Sequence, residues 1–403
     1  MGSGGFSKAG LARLRGVMTG YVERGEIPGL VALVRRKGRL HTEVVGTLAH
    51  GGATPVERDS IFRISSMTKP VTAAATLILV EECALRLDDP VDALLPELAD
   101  RRVLVDVDGP LEDTVPADRP ITVRDLLTFR LGFGIVMAAP DSTPLLRAMA
   151  PLRLGQGPPA PQHTAPVDEW IAGLGSLPLL HQPGERWLYN TGADVLGVLV
   201  ERACGRPFGE FLEERVFGPL GMGDTGFHVP PADVDRRATA YWTDPATGGT
   251  AVYDPAEGGQ WSLPPDFPSG GAGLVSTADD YLAFAGMLLG GGTDGTTRIL
   301  ARPSVEVMTT DHLTPAQKAV SGLVPGFFDA HGWGFCLSVV TRRDDPAGSV
   351  GTYSWDGGMG TSWFVDPTED LVAVLMTQCL WPSPSPPGVV RDFGTSVYQA
   401  IGD

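Results

Sequence analysis

An apolar, alanine-rich run from Pro70 to about Cys83 follows directly on Ser66-Met67-Thr68-Lys69, and it constrains this chain more than any other feature. A run of that length with so few charges reads as a buried helix. Ser66 then stands at the helix start, with Lys69 on the same face one turn later. Pro70 does not oppose this, because in a first turn its missing N–H would have no intrahelical partner anyway. A serine hydroxyl needs a base to act as a nucleophile, and a lysine amine kept from water can be that base. The pattern is short, so its meaning depends on what the rest of the chain brings to it.

Composition excludes several classes. With 43% hydrophobic and 20% charged residues, the 403-residue chain is ordinary for a globular protein with a large core. Length alone would allow two or three domains. The net charge of −17, with no basic stripe, argues against nucleic acid or an anionic membrane as partner. The segment Met1–Lys8 has no apolar core of a signal peptide, and no run approaches the ~20 residues that span a bilayer. Cys83, Cys204, Cys336 and Cys379 lie scattered in apolar surroundings, which predicts buried reduced thiols and a cytoplasmic location. The seven histidines show no paired ligand spacing and Asp88-Asp89 reads as a turn, so neither metal nor cofactor is expected. No Gly-x-Ser-x-Gly occurs; Gly360-Thr361-Ser362-Trp363-Phe364 lacks the last glycine.

Periodicity predicts an amphipathic helix over 8–24, then strands Leu30–Val34 and Leu40–Val45 joined by a Lys37-Gly38 turn. Residues 86–165 and 229–272 read as long irregular regions, the proline-rich Gly155–Pro166 most clearly. The first contains a short helical piece, Ile121–Leu127, and between the two lie helices at Val167–Leu174, Thr191–Cys204 and Phe208–Val216. A capped helix begins near Thr277. Strands are expected at Phe335–Thr341, Gly351–Ser354, Ser362–Val365 and Leu371–Met376, with a last helix over Val389–Ile401. Strands at both ends and helices between them predict one sheet assembled from the two termini, with a helical insertion.

A nucleophile and base also need a proton relay, an oxyanion hole and a wall that shapes the substrate. Tyr189, just ahead of the helix starting at Thr191, is a candidate relay. The strand edge around Trp355-Asp356-Gly357-Gly358 is a candidate for the rest, because glycines let a backbone N–H approach a reacting carbonyl. Asp194 reads first as a helix N-terminal carboxylate favoured by the dipole, with a site residue near Tyr189 as the alternative.

Together the three segments resemble the serine β-lactamase and penicillin-binding-protein superfamily, nearest to the family VIII carboxylesterases. Leu87–Val91, Ile121–Thr128, Phe267–Leu274 and Gly332–Phe335 support the match, which runs from about residue 10 to 400. The resemblance implies an α/β (α+β) fold: an antiparallel sheet flanked by helices, with a mostly helical inserted subdomain. About 1–85 and 270–403 would form the α/β part and about 86–269 the helical part of one catalytic unit. It further implies Ser66 as acyl-forming nucleophile, Lys69 as its proton acceptor and Tyr189 as second base and relay. The N–H groups of Ser66 and Gly358 would form the oxyanion hole, and Trp355, Gly357 and Thr191 would contact substrate.

Two departures from the superfamily pattern bear on the substrate. Thr191 stands where lactamases carry the Asn of Tyr-x-Asn, and Trp355 stands where they carry a carboxylate-binding cation. Phe129-Arg130-Leu131-Gly132 also replaces a common His-Thr-Ser-Gly. The expectation is a serine hydrolase acting on short-chain or aryl esters. An acyltransferase, a weak β-lactamase, a D-amino-acid peptidase and a non-catalytic binding relative remain as alternatives. The partner is a small-molecule ester or amide, and the oligomeric state is left open.

Overall fold

The computed structural model describes residues 5–402 apart from 137, 140, 156 and 245. The first four residues, on which the reading of the N-terminus partly rests, lie outside the described residues. The elements that position the site are, in chain order, α1 (Lys8–Glu23), β1 (Gly29–Arg36), β2 (Arg39–Gly46), α2 (Thr68–Glu81), α3 (Thr191–Cys204), α4 (Ala278–Leu289), β3 (His331–Trp333), β4 (Ser338–Val340), β5 (Tyr353–Ser354), β6 (Thr361–Asp366), β7 (Leu371–Met376) and α5 (Gly388–Gln399).

The seven strands form one antiparallel sheet in the order β2-β1-β7-β6-β5-β4-β3, so the N-terminal hairpin docks beside the last strand of the chain. Strand alternation explains why β1 is apolar on both faces. Leu30, Ala32 and Val34 face a core shared with Leu14 and Met18 of α1 and Phe393 and Val397 of α5. Val31 and Leu33 face the opposite core, which includes Phe284 and Met287 of α4 and the buried residues of α2. A one-residue slip of β1 would exchange these two faces. Lys37 and Gly38 both take positive φ, the geometry of a two-residue hairpin turn.

Helix α2 is buried from Thr68 to Leu79. Its alanines at 73, 74 and 75 let it sit tightly in the larger core, where any bigger side chain would overpack at a cost of about 1–3 kcal/mol. It packs against α3 from the segment inserted between β2 and α4.

Several expectations need correction. The stretch 86–165 holds a small hairpin, Arg102–Leu104 with Thr114–Pro116, and a helix at Pro144–Met149. The stretch 229–272 holds a second hairpin, Ala240–Thr243 with Thr250–Asp254. Phe335–Thr341 is not one strand: Cys336 takes φ +59° in a turn between β3 and β4. Helices at Arg302–Met308 and Pro315–Ala319 were not expected. All four cysteines are free, but only Cys336 is buried; Cys83 is exposed just beyond the end of α2.

Candidate active site

The chain enters α2 through a single 3₁₀ turn, Ser65–Met67. Ser65 takes φ +45°, a left-handed conformation that costs a non-glycine residue about 1–3 kcal/mol. Its neighbours hold it there. The backbone N–H of Ile64 donates to Leu274 at 3.0 Å, the Tyr281 hydroxyl donates to the Met67 carbonyl at 2.8 Å, and Thr361 Oγ1 donates to the Ile64 carbonyl at 3.3 Å. The strain turns Ser66 toward a cavity while Lys69 stays fully buried. Lys69 Nζ donates to Ser66 Oγ at 2.9 Å and to the Gly271 carbonyl at 2.6 Å. Gly271 belongs to the Phe267–Leu274 stretch, whose part in the site is to supply that carbonyl.

Tyr189 reaches the same oxygen from the other side, its hydroxyl donating to Ser66 Oγ at 2.8 Å. Lys69 Nζ lies 4.6 Å from the Tyr189 ring centre. The aim of Tyr189 is fixed by the next residue. Asn190 takes φ +81° and ψ −64°, and the Thr191 N–H donates to the Tyr189 carbonyl at 3.3 Å, which makes a strained γ-turn at the mouth of α3. Aromatic rings brace Tyr189. Phe129 meets it edge-on at 6.0 Å, Trp187 stacks on it at 5.7 Å, and Trp355 packs at 5.3 Å. Phe129 therefore has a structural part in this chain: it is a buried wall against Tyr189, held at φ +56°. Trp333, from the Gly332–Phe335 stretch, backs Trp355 edge-on at 4.6 Å.

Trp355 does more than form a wall. Its indole N–H donates to the Tyr189 hydroxyl oxygen at 2.8 Å, so a chain of hydrogen bonds runs from Trp355 through Tyr189 to Ser66. The indole holds the tyrosine oxygen in place and offers no full charge to a substrate.

These groups open onto a cavity of about 510 Å³, within the range that holds a drug-sized molecule. Ile135, Leu154, Trp170, Phe267, Leu323 and Phe327 make its walls largely apolar. Ser66, Tyr189, Trp355 and Gly358 all border it. Two expected contact residues do not. Thr191 is buried in the first turn of α3, and Asn190 borders the cavity in its place. Gly357 is buried in the turn before β6. Its N–H donates to the Thr361 carbonyl at 2.8 Å, and a Cβ there would strike the Ile64 carbonyl and the Thr361 hydroxyl. Its lack of a side chain lets this turn lie against the backbone just before Ser65–Met67, leaving Gly358 exposed at the cavity that Ser66 also borders. Among the described residues, no group of three or more His, Cys, Asp or Glu side chains is arranged to hold a metal ion, and no helix is long and apolar enough to cross a membrane.

Asp356 also borders the cavity, and burial pushes its carboxyl up to about 6 although Ser362 Oγ donates to it. The raised value means the fold holds a proton that the unfolded chain releases near pH 4. Its contribution to stability is present below about pH 4 and is lost as pH rises through about 6. Asp356→Asn should therefore melt higher than the parent at pH 7.5 and lose that advantage at pH 4. After allowance for the side chain's partial exposure, the difference amounts to about 2 kcal/mol. Thermal melts of both proteins at the two pH values check this; a pH-independent gap would refute the burial account.

The sequence matches the family model described as Beta-lactamase over residues 14–388, nearly the whole chain. The chain belongs to the β-lactamase family. Protein Rv1367c of Mycobacterium tuberculosis is 43% identical over 366 residues, covering 88% of this chain and 87% of that protein. Esterase EstB of Burkholderia gladioli is 32% identical, covering 93% and 92%. Among solved structures, EstCE1, a hydrolase with promiscuous acyltransferase activity, superposes with a TM-score of 0.76 at 26% identity, covering 98% and 99%. The relatives place this member among the serine hydrolases and acyl-transfer enzymes of the β-lactamase fold, and its central antiparallel sheet flanked by helices is the architecture they share.

Proposed function

We propose that this protein is a serine carboxylesterase that forms an acyl-enzyme at Ser66 with neutral esters bearing a sizeable apolar or aryl group. The observation that carries the reading is the convergence of Lys69 and Tyr189 on Ser66 Oγ, at 2.9 and 2.8 Å, at the edge of an apolar cavity. Lys69 takes the serine proton as Oγ attacks the ester carbonyl. The N–H groups of Ser66 and Gly358 meet the developing oxyanion. Tyr189 relays that proton from Lys69 to the departing alcohol; in deacylation the pair takes a proton from the attacking water and returns one to Ser66 Oγ as the acyl bond breaks. The esterase name of EstB and the hydrolase title of EstCE1 support the same class. Acyl transfer is the second reading, favoured by a cavity with room for an acceptor alcohol beside the acyl group.

The preference for neutral esters over anionic β-lactams rests on Trp355, which fills its place with an indole whose N–H is already given to Tyr189. An indole stabilises an apolar group by burial, on the order of 1–2 kcal/mol, and offers a carboxylate only a desolvation cost. Hydrolysis of a p-nitrophenyl ester panel beside nitrocefin tests this. Trp355→Lys should raise kcat/KM for nitrocefin relative to p-nitrophenyl butyrate by roughly tenfold, the worth of one charge-assisted hydrogen bond. Wild-type turnover of nitrocefin as efficient as that of the best ester would replace the esterase reading with a β-lactamase.

A further inference from the structure

Asp194 is a buried carboxylate that the mechanism above leaves without a part. It lies in the first turns of α3 and is 6% exposed. A helix N-terminus alone would favour a carboxylate here, but it does not account for the partners this one has gathered. Its Oδ1 accepts from Ser269 Oγ at 2.6 Å and from the Gly271 N–H at 2.9 Å, and its Oδ2 accepts from Asn190 Nδ2 at 3.2 Å. Each of the last two partners leads to one arm of the relay. The Gly271 carbonyl receives Lys69 Nζ, and Asn190 is the strained residue whose γ-turn aims Tyr189. The fit at Gly271 is close, since a Cβ there would come within 2.9 Å of the carboxylate.

Resting on the proposed esterase reading, we infer that Asp194 is the positioning residue of the relay: it holds Lys69 through Gly271 and Tyr189 through Asn190, and supplies the counter-charge when Lys69 takes up the serine proton. The groups that face Lys69 are consistent with this. Tyr189 precedes α3, Asp194 lies on it, and Cys336 lies in the turn between β3 and β4, where burial pushes its thiol above the ordinary range. Asp356, before β6, borders the same cavity. Burial raises the Asp194 carboxyl, while Ser269, Lys69 and the Gly271 N–H pull the other way.

The test compares wild type and Asp194→Asn for the rate of fluorophosphonate labelling at Ser66 and for ester hydrolysis, each across pH. Both rates should fall on the order of ten- to a hundredfold, the usual effect of misaligned reacting groups. The acidic limb should also move to lower pH, because a negative charge beside the relay has been removed. A purely structural role would lower the rates but leave the limb in place, so a profile that superimposes on the parent after scaling overturns the inference. The Asp356→Asn profile identifies any limb belonging to that other carboxyl. If Asp194→Asn does not fold, Asn190→Ala serves: it should label more slowly with an unmoved acidic limb, and labelling at the wild-type rate overturns the inference. Wild type that fails to label at Ser66 overturns the esterase reading and this one together, whereas labelled wild type with an unmoved Asp194→Asn profile overturns this one alone.

Discussion

Ser66→Ala should abolish ester hydrolysis and fluorophosphonate labelling while leaving the fold intact. The expected loss in kcat is on the order of 10⁴–10⁶-fold, the scale seen when a covalent nucleophile is removed. The residue that remains comes from the oxyanion donors and the cavity, which the substitution does not touch. The fold should tolerate the change for a local reason. The turn at Ser65–Met67 is held by Leu274, Tyr281 and Thr361, none of which bonds the Ser66 hydroxyl. Lys69 keeps the Gly271 carbonyl, and Tyr189 keeps the Trp355 indole. A melting temperature within a few degrees of wild type, with no acyl adduct in the mass spectrum, is the expected pair of results. Purified mutant retaining more than a few per cent of activity would mean that another group attacks the ester.

How legible this was from sequence depended on the range of each interaction. Ser66 and Lys69 are three residues apart, so their partnership is written in one helical turn. The bounds of α3 and β7 are set by local signals: Gly205 at φ +69° ends the helix, and an unbroken apolar run forms the strand. The hairpin at Ala240–Asp254 was hidden because its strands are short and its residues are not clearly alternating. It is anchored in part by a tertiary bond, the Tyr253 hydroxyl donating to the Pro159 carbonyl. The same holds within the site. Asp194 and Gly271 are separated by 77 residues, and Trp355 and Tyr189 by 166, so no periodicity could join them. Asn190 borders the cavity and Thr191 does not, because the γ-turn swings the first toward it and leaves the second buried, which spacing along the chain cannot show.

Lys69→Ala and Tyr189→Phe should each lower kcat by about 10²–10³-fold, and the double mutant should lose scarcely more than the worse single mutant. Independent groups would instead multiply, giving roughly 10⁴–10⁶-fold. The geometry supports the coupled outcome. Both side chains donate to the same Ser66 oxygen, and Lys69 Nζ lies 4.6 Å from the Tyr189 ring centre. The path of the proton removed from Ser66 thus runs through both groups, and losing either one already breaks it. Tyr189→Phe removes the hydroxyl but keeps the ring, so the packing against Phe129, Trp187 and Trp355 persists and the measurement reports the proton path rather than a collapsed wall. Pre-steady-state measurement with a p-nitrophenyl ester separates acylation from deacylation in all four proteins. A double mutant whose loss equals the product of the single losses, in both steps, would show that Lys69 and Tyr189 act independently on Ser66, and the relay would have to be redrawn with one base for each half-reaction.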